Sequence, residues 1–231
     1  MESLPAVLIP GLLASARLYA SQLPVLWPYG PVTIAAHTHD DSMAGIARRI
    51  LGAAPARFAL VGLSMGGYIA FEILRQAPER VARLALLDTA ARPDTPEQSA
   101  ARRTQMALAS AGRLHEVVEA QFLRTVHVTR RADAALRETN RLMADDVGLP
   151  GYLRQQSATM GRADSRPTLS RIRVPTLVLV GEQDELTPPE RAAEMADGIA
   201  GAQLVSVPQC GHLSTLERPD AVTHALSGWL A

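Results

Sequence analysis

Gly62-Leu63-Ser64-Met65-Gly66 sets one serine between two glycines, each two positions away. The apolar run 58–61 precedes it, and 67–76 follows with helical spacing before Pro78. A sharp strand-to-helix turn would lift the Ser64 side chain to the sheet edge. Side chains at 62 and 66 would clash in such a turn, so both positions require glycine. The first N–H groups of the following helix, at its positive dipole end, would face a developing oxyanion. Without the strand and helix, the pentapeptide would read as a glycine-rich turn with an incidental serine.

A serine hydroxyl attacks a carbonyl only when a base takes its proton. Six histidines are available. His212 falls in the loop after the apolar run 203–207, at the carboxyl end of a strand and so on the same edge as Ser64. His37 and His39 follow an early strand and read as loop histidines in water. His115, His127 and His224 fall in helical stretches and read as structural. The base in turn needs an orienting carboxylate. Asp184 follows the run 176–180, and Asp88 follows 84–87, so both stand at strand ends. Glu182 and Glu185 read as solvated neighbours.

These residues hang on an alternation of strands and helices. Apolar runs at 6–9, 32–36, 58–61, 84–87, 176–180 and 203–207 read as strands; 42–51, 67–76, 190–199 and 219–230 read as helices, with Ser42 as an N-cap. The strand runs are continuously apolar, the mark of a parallel sheet covered on both faces. Between 92 and 170 the strand runs stop and helical periodicity takes over, for example at 114–122 and 132–143. The expected organisation is a core over 1–91, a helical cap over 92–170, and the rest of the core over 171–231.

Composition narrows the chemistry. The 23 basic residues are all arginine and match 23 acidic ones. A neutral chain without a basic run has no electrostatic reason to bind nucleic acid. Without lysine there is no Schiff-base or Ser-Lys chemistry. A single cysteine, Cys210, allows neither an internal disulfide nor a cysteine metal cluster, and reads as a small buried apolar residue. No metal site, phosphate cradle or cofactor is expected, and Gly66-Gly67 fits close helix packing better than nucleotide binding. Met1-Glu2-Ser3-Leu4 lacks the basic region of a leader, and no apolar run is long enough to span a bilayer. The expectation is a cytoplasmic protein without a membrane partner.

Four segments together resemble the α/β-hydrolase superfamily, and within it the small capped esterases. Val7-Leu8-Ile9-Pro10-Gly11-Leu12 resembles the strand and oxyanion loop. Gly62 to Gly66 resembles the nucleophile turn. Val174-Pro175-Thr176 through Gly181 and Asp184 resembles the acid strand and loop. Gly211-His212 with Glu217-Arg218-Pro219 resembles the histidine segment and the start of the final helix. The order Ser64, Asp184, His212 is the family's order. Pro10 departs from the pattern, since the family usually has histidine before the oxyanion glycine. The chain also begins at what is usually the third strand, which implies a mostly parallel sheet trimmed to about six.

The resemblance implies a Ser64-His212-Asp184 triad, backbone oxyanion donors at Leu12 and Met65, and hydrolysis of a small ester through an acyl-enzyme. A ligand-binding or sensing module, a carbon–carbon bond hydrolase, a lactonase or a lyase would use the same fold. A dehalogenase would place Asp where Ser64 stands. The cap would supply the acyl pocket, with Met106, Leu108, Phe122, Met143, Tyr152 and Met160 as candidate lining, half or more of which would pack the cap itself. Arg124 and Arg154 are cap arginines that could meet a substrate carboxylate, although solvated arginines are commoner.

Overall fold

The computed structural model describes residues 4–231. The leader expectation rests partly on 1–3, which lie outside the described residues. Six strands, β1 (Ala6–Ile9), β2 (Val32–Ile34), β3 (Phe58–Leu63), β4 (Val81–Leu87), β5 (Thr176–Gly181) and β6 (Gln203–Val207), form one sheet in the order β2-β1-β3-β4-β5-β6. All five pairings are parallel. The expected six-stranded parallel sheet is the observed one.

Side chains alternate along each strand, and both faces of β1, β3 and β5 are covered, which is why those runs are apolar throughout, while the edge strands β2 and β6 are largely half-buried or exposed. Val7, Ile9, Leu60 and Val178 point to one face, packed by α1 (Met43–Ala53), α2 (Met65–Gln76) and α6 (Pro189–Gly198). Leu8, Val61, Leu63 and Leu179 point to the other, packed by Leu226 and Trp229 of α7 (Pro219–Leu230). Each such buried leucine or valine contributes roughly 1.5–3 kcal/mol. Ser42 caps α1 as expected, its side chain accepting the Gly45 N–H.

Between β4 and β5 the chain forms α3 (Pro96–Leu108), α4 (Leu114–Thr125) and α5 (Ala134–Met160), then a single turn at Arg166–Leu169. α5 runs well past the expected 132–143. It bends at Gly148, where φ is +65°, just before Pro150. Only glycine takes that conformation easily, and the proline removes a helical N–H.

The chain leaves β1 for β2 on one side, then returns to β3 on the other. The carboxyl ends of β1 and β3 therefore flank a topological switch point, where open α/β sheets bind their ligands. The loop carrying Gly11 and the turn carrying Ser64 meet there.

Candidate active site

Ser64 sits between β3 and α2 with φ +56° and ψ −117°, a conformation few non-glycine residues adopt. Surrounding backbone holds it: its N–H donates to Leu87 O at 2.9 Å, and its carbonyl accepts the Thr89 hydroxyl at 2.7 Å. A Cβ on Gly62 would stand 2.4 Å from Gly66 O, and one on Gly66 2.1 Å from Ile9 O. Glycine is obligatory at both, as the turn geometry requires. Gly67 lies against Thr89 in the same way, a matter of close helix packing.

His212 Nε2 is 2.8 Å from Ser64 Oγ, and His212 Nδ1 is 2.7 Å from Asp184 Oδ2. Histidine and aspartate are both buried. The Asp184 carboxylate is also held by Thr187: Oδ1 accepts its N–H at 3.0 Å and Oδ2 its hydroxyl at 2.7 Å. Burial alone would push the His212 imidazole pKa down; the Asp184 charge and hydrogen bond, with the Asp88 and Glu217 charges, together outweigh it and raise the pKa above the ordinary value. Burial would likewise raise Asp184, but His212 and the Thr187 donors hold it below the usual carboxylate range.

Asp88, the rival carboxylate, points elsewhere. Its Oδ1 accepts the Gly181 N–H at 2.9 Å and its Oδ2 meets the Ser214 hydroxyl. Its carboxyl is fully buried with Asp184 nearby, and it is pushed up to about 8. Glu182 and Glu185 are exposed, as expected. Cys210 is buried and apolar in setting, also as expected, and burial pushes its thiol up.

Glu217 anchors the histidine loop. It is buried and accepts the N–H groups of Gly211 (3.1 Å), Leu213 (3.2 Å) and His127 (2.7 Å). His127 thereby ties the end of α4 to this loop, while His39, His115 and His224 are exposed. His37 departs from expectation. It is buried, with Nε2 2.9 Å from Gly11 O and 3.0 Å from the Gln155 amide nitrogen. Water cannot reach it because α5 packs over the end of β2. Burial lowers its pKa and keeps the ring neutral.

The same Gln155 accepts the Leu13 N–H through Oε1 at 3.0 Å. The loop 11–13 is therefore pinned at Gly11 by His37 and at Leu13 by Gln155. Among the described residues, the N–H groups of Leu12 and Met65 have no protein acceptor. They stand on the two loops that flank Ser64.

A cavity of about 280 Å³ opens over Ser64 and His212, lined also by Leu12 and Met65. The helices between β4 and β5 contribute much of its wall: Arg102 and Gln105 from α3, Val118 and Arg124 from α4, Asn140 and Thr159 from α5. None of Met106, Leu108, Phe122, Met143, Tyr152 or Met160 lines it, which corrects the expected pocket. Phe122 and Met143 are buried in the hydrophobic layer beneath α4 and α5, and Tyr152 is buried with its hydroxyl accepting from Gln156 at 2.8 Å. Met106, Leu108 and Met160 are half-buried. Apolar side chains on these helices fill the inter-helix core, which leaves polar ones to face the cavity. Arg154 is exposed and reaches Thr38 O instead.

Gln155 and Thr187 escape sequence reasoning, and Glu217 enters it only as part of the histidine segment, without its anchoring role. Gln155 acts on a loop 142 residues away, and Thr187 and Glu217 act through loop contacts that no spacing signals. Among the described residues no group of three or more His, Cys, Asp or Glu is arranged to hold a metal, and no helix is long and apolar enough to cross a membrane. Chemically, the arrangement offers a hydroxyl with an imidazole nitrogen at 2.8 Å, a carboxylate on the other ring nitrogen at 2.7 Å, and two free N–H donors beside it.

Residues 29–219 match the family model described as alpha/beta hydrolase fold. BpoC of Mycobacterium tuberculosis, provisionally named a non-heme bromoperoxidase, is 31% identical over 186 residues, spanning 78% of this chain and 70% of that one. A thermophilic esterase from Thermogutta terrifontis, solved with malate bound, is 31% identical with a TM-score of 0.88, covering 98% of this chain and 89% of that one. The enol-lactonase of Burkholderia xenovorans LB400 is 26% identical with a TM-score of 0.89, covering 100% and 92%.

Proposed function

The chain belongs to the α/β-hydrolase family, and on that premise we propose that it is a serine hydrolase cleaving small carboxylic esters through an acyl-enzyme. One observation carries this: the unbroken line from Ser64 Oγ to His212 Nε2 (2.8 Å) and from His212 Nδ1 to Asp184 Oδ2 (2.7 Å). Ser64 Oγ attacks the substrate carbonyl carbon as its proton passes to His212 Nε2. Asp184 holds Nδ1–H, fixing the tautomer and stabilising the imidazolium. The N–H groups of Leu12 and Met65 receive the oxyanion. Collapse of the tetrahedral species breaks the ester bond, and His212 returns its proton to the departing alcohol. Water then enters, gives a proton to His212, and its oxygen takes the acyl group from Ser64; the proton goes back to Ser64 Oγ.

The esterase and the enol-lactonase among the similar structures support hydrolysis of linear or cyclic esters. Residues 92–170 act as a cap that shapes the acyl pocket, supported by the cavity lining from α3, α4 and α5. Cys210, a lone buried thiol, fits a cytoplasmic setting.

A panel of p-nitrophenyl esters of increasing acyl length tests the reading. Turnover of at least the short members, with acid and p-nitrophenol released one to one, is expected. A single burst of p-nitrophenol without turnover would favour a sensing module instead, and silence across the panel would refute esterase activity.

A further inference from the structure

α3 and the segment that follows α5 bring two guanidinium groups to the cavity wall, and the residues before α3 set one carboxylate behind them. Arg102 and Arg162 both line the cavity, while Asp94 lies behind the lining with its side chain 1% exposed. Arg102 Nε reaches Asp94 Oδ2 at 2.7 Å, and Arg162 Nη1 reaches Oδ1 at 2.5 Å. One negative charge thus serves two positive ones. Other bonds lock both planes in place: Arg102 Nη1 donates to Gln156 Oε1 at 2.8 Å, and Arg162 Nε to Arg92 O at 3.0 Å. Arg162 also stacks 4.3 Å from the Tyr68 ring centroid, and Tyr68 lines the same cavity.

These side chains are only 21% and 7% exposed, so water replaces a missing counter-charge poorly. Among the described residues Arg162 Nη2 has no protein acceptor. Arg124 adds a third guanidinium to the wall, and unlike the other two it has no ion pair among the described residues. Among the described residues the only carboxylate on the lining, Glu185, lies 3.3 Å from Arg131 and is 61% exposed. The wall therefore carries unbalanced positive charge on rigid, planar donors, the geometry that binds a carboxylate.

From this we infer that Arg102 and Arg162 form a carboxylate-binding subsite, and that the ester substrate carries a free carboxylate on its acyl side. The inference rests on the proposed hydrolase activity of the same cavity. Asp94 keeps the pair in place and neutralises one charge; the substrate supplies the second. The apolar wall near Ser64, including Leu12, Val118 and Leu213, then takes a short methylene spacer.

The test compares monomethyl glutarate and monomethyl adipate with their ω-amides, which differ only in the charge at the far end. The wild type should prefer the carboxylates by about tenfold to a hundredfold in kcat/KM. Arg102→Gln leaves Asp94 in a one-to-one pair with Arg162 and should bring that ratio to within a few-fold of unity. A wild-type ratio near or below unity, or a ratio that Arg102→Gln leaves intact, overturns the subsite. If Arg102→Gln does not fold, inhibition of the wild type decides: adipate must inhibit at least about tenfold better than adipamide, and equal inhibition refutes the inference. If no ester is turned over at all, the hydrolase reading has failed on its own. Calorimetric titration of the wild type with adipate then addresses the subsite separately, and absence of binding refutes it.

Discussion

Gln155 Oε1 accepts the backbone N–H of Leu13 at 3.0 Å, across 142 residues of sequence. A glutamine on α5 thus sets the loop that carries the Leu12 N–H, the proposed oxyanion donor. Removing the acceptor leaves a buried N–H unpaired and frees the loop to move. Gln155→Met should lower kcat by roughly tenfold to a hundredfold with little change in KM, short of losing an oxyanion donor outright. Gln155→Glu, which keeps an acceptor, should retain more of kcat. Steady-state kinetics on a short ester checks this; equal kcat in all three proteins would remove the loop's dependence on Gln155.

The two buried aspartates should separate sharply. Asp184 touches His212 and Asp88 does not. Asp184→Asn should cost about 10⁴-fold in kcat, the scale of a misplaced imidazole tautomer. Asp88→Asn should cost less than about tenfold, because the amide can still accept the Gly181 N–H and donate to Ser214. The reverse ranking in kcat would move the orienting role to the end of β4.

His212 must be neutral to take the serine proton. The Asp184 charge raises its pKa, so kcat/KM should climb with pH through a midpoint above the ordinary histidine value of about 6.5. In Asp184→Asn the charge is gone and the midpoint should move to lower pH. Profiles measured from about pH 5 to about pH 9 test the sign; an upward or absent shift would contradict it.

Asp88 links folding to pH in the opposite sense from most carboxylates. Its folded pKa, about 8, lies above the unfolded value near 3.9, so the folded state holds the extra proton between them. Stability from this group is present below about pH 4 and is lost as pH rises toward 8, by at most about 1.4 kcal/mol per pH unit. An asparagine amide in its place mimics the protonated carboxyl. Denaturant unfolding of Asp88→Asn should therefore lose less stability than the wild type over that range; parallel declines would show that Asp88 is ionised when buried.

How much of this is legible in the chain follows from where each signal resides. The inner strands announce themselves because both their faces are buried; β6, an edge strand with only Val207 buried, still keeps the expected bounds. β4 begins earlier than the run 84–87 suggests, since Arg83 interrupts the apolar pattern while its backbone stays in the sheet. α3 escapes reading as an element because none of its residues is buried, so it has no apolar stripe; its capping box, Thr95 with Gln98, is the readable sign. The bend at Gly148 hides the second half of α5 in the same way. Ser64, His212 and Asp184 stand out because each follows a strand. The pocket does not, since nothing in linear spacing tells which face of α3, α4 or α5 looks into the cavity, and apolar residues there go to the inter-helix core.

The most direct measurement is covalent labelling at Ser64. Treated with a fluorophosphonate, the wild-type protein should gain the mass of one phosphonyl group, and peptide mapping should place it on Ser64. Ser64→Ala should fold with the same thermal transition to within a few degrees, take no label and hydrolyse no ester. A label on another serine, or ester hydrolysis surviving in Ser64→Ala, would contradict the assignment of Ser64 as the nucleophile.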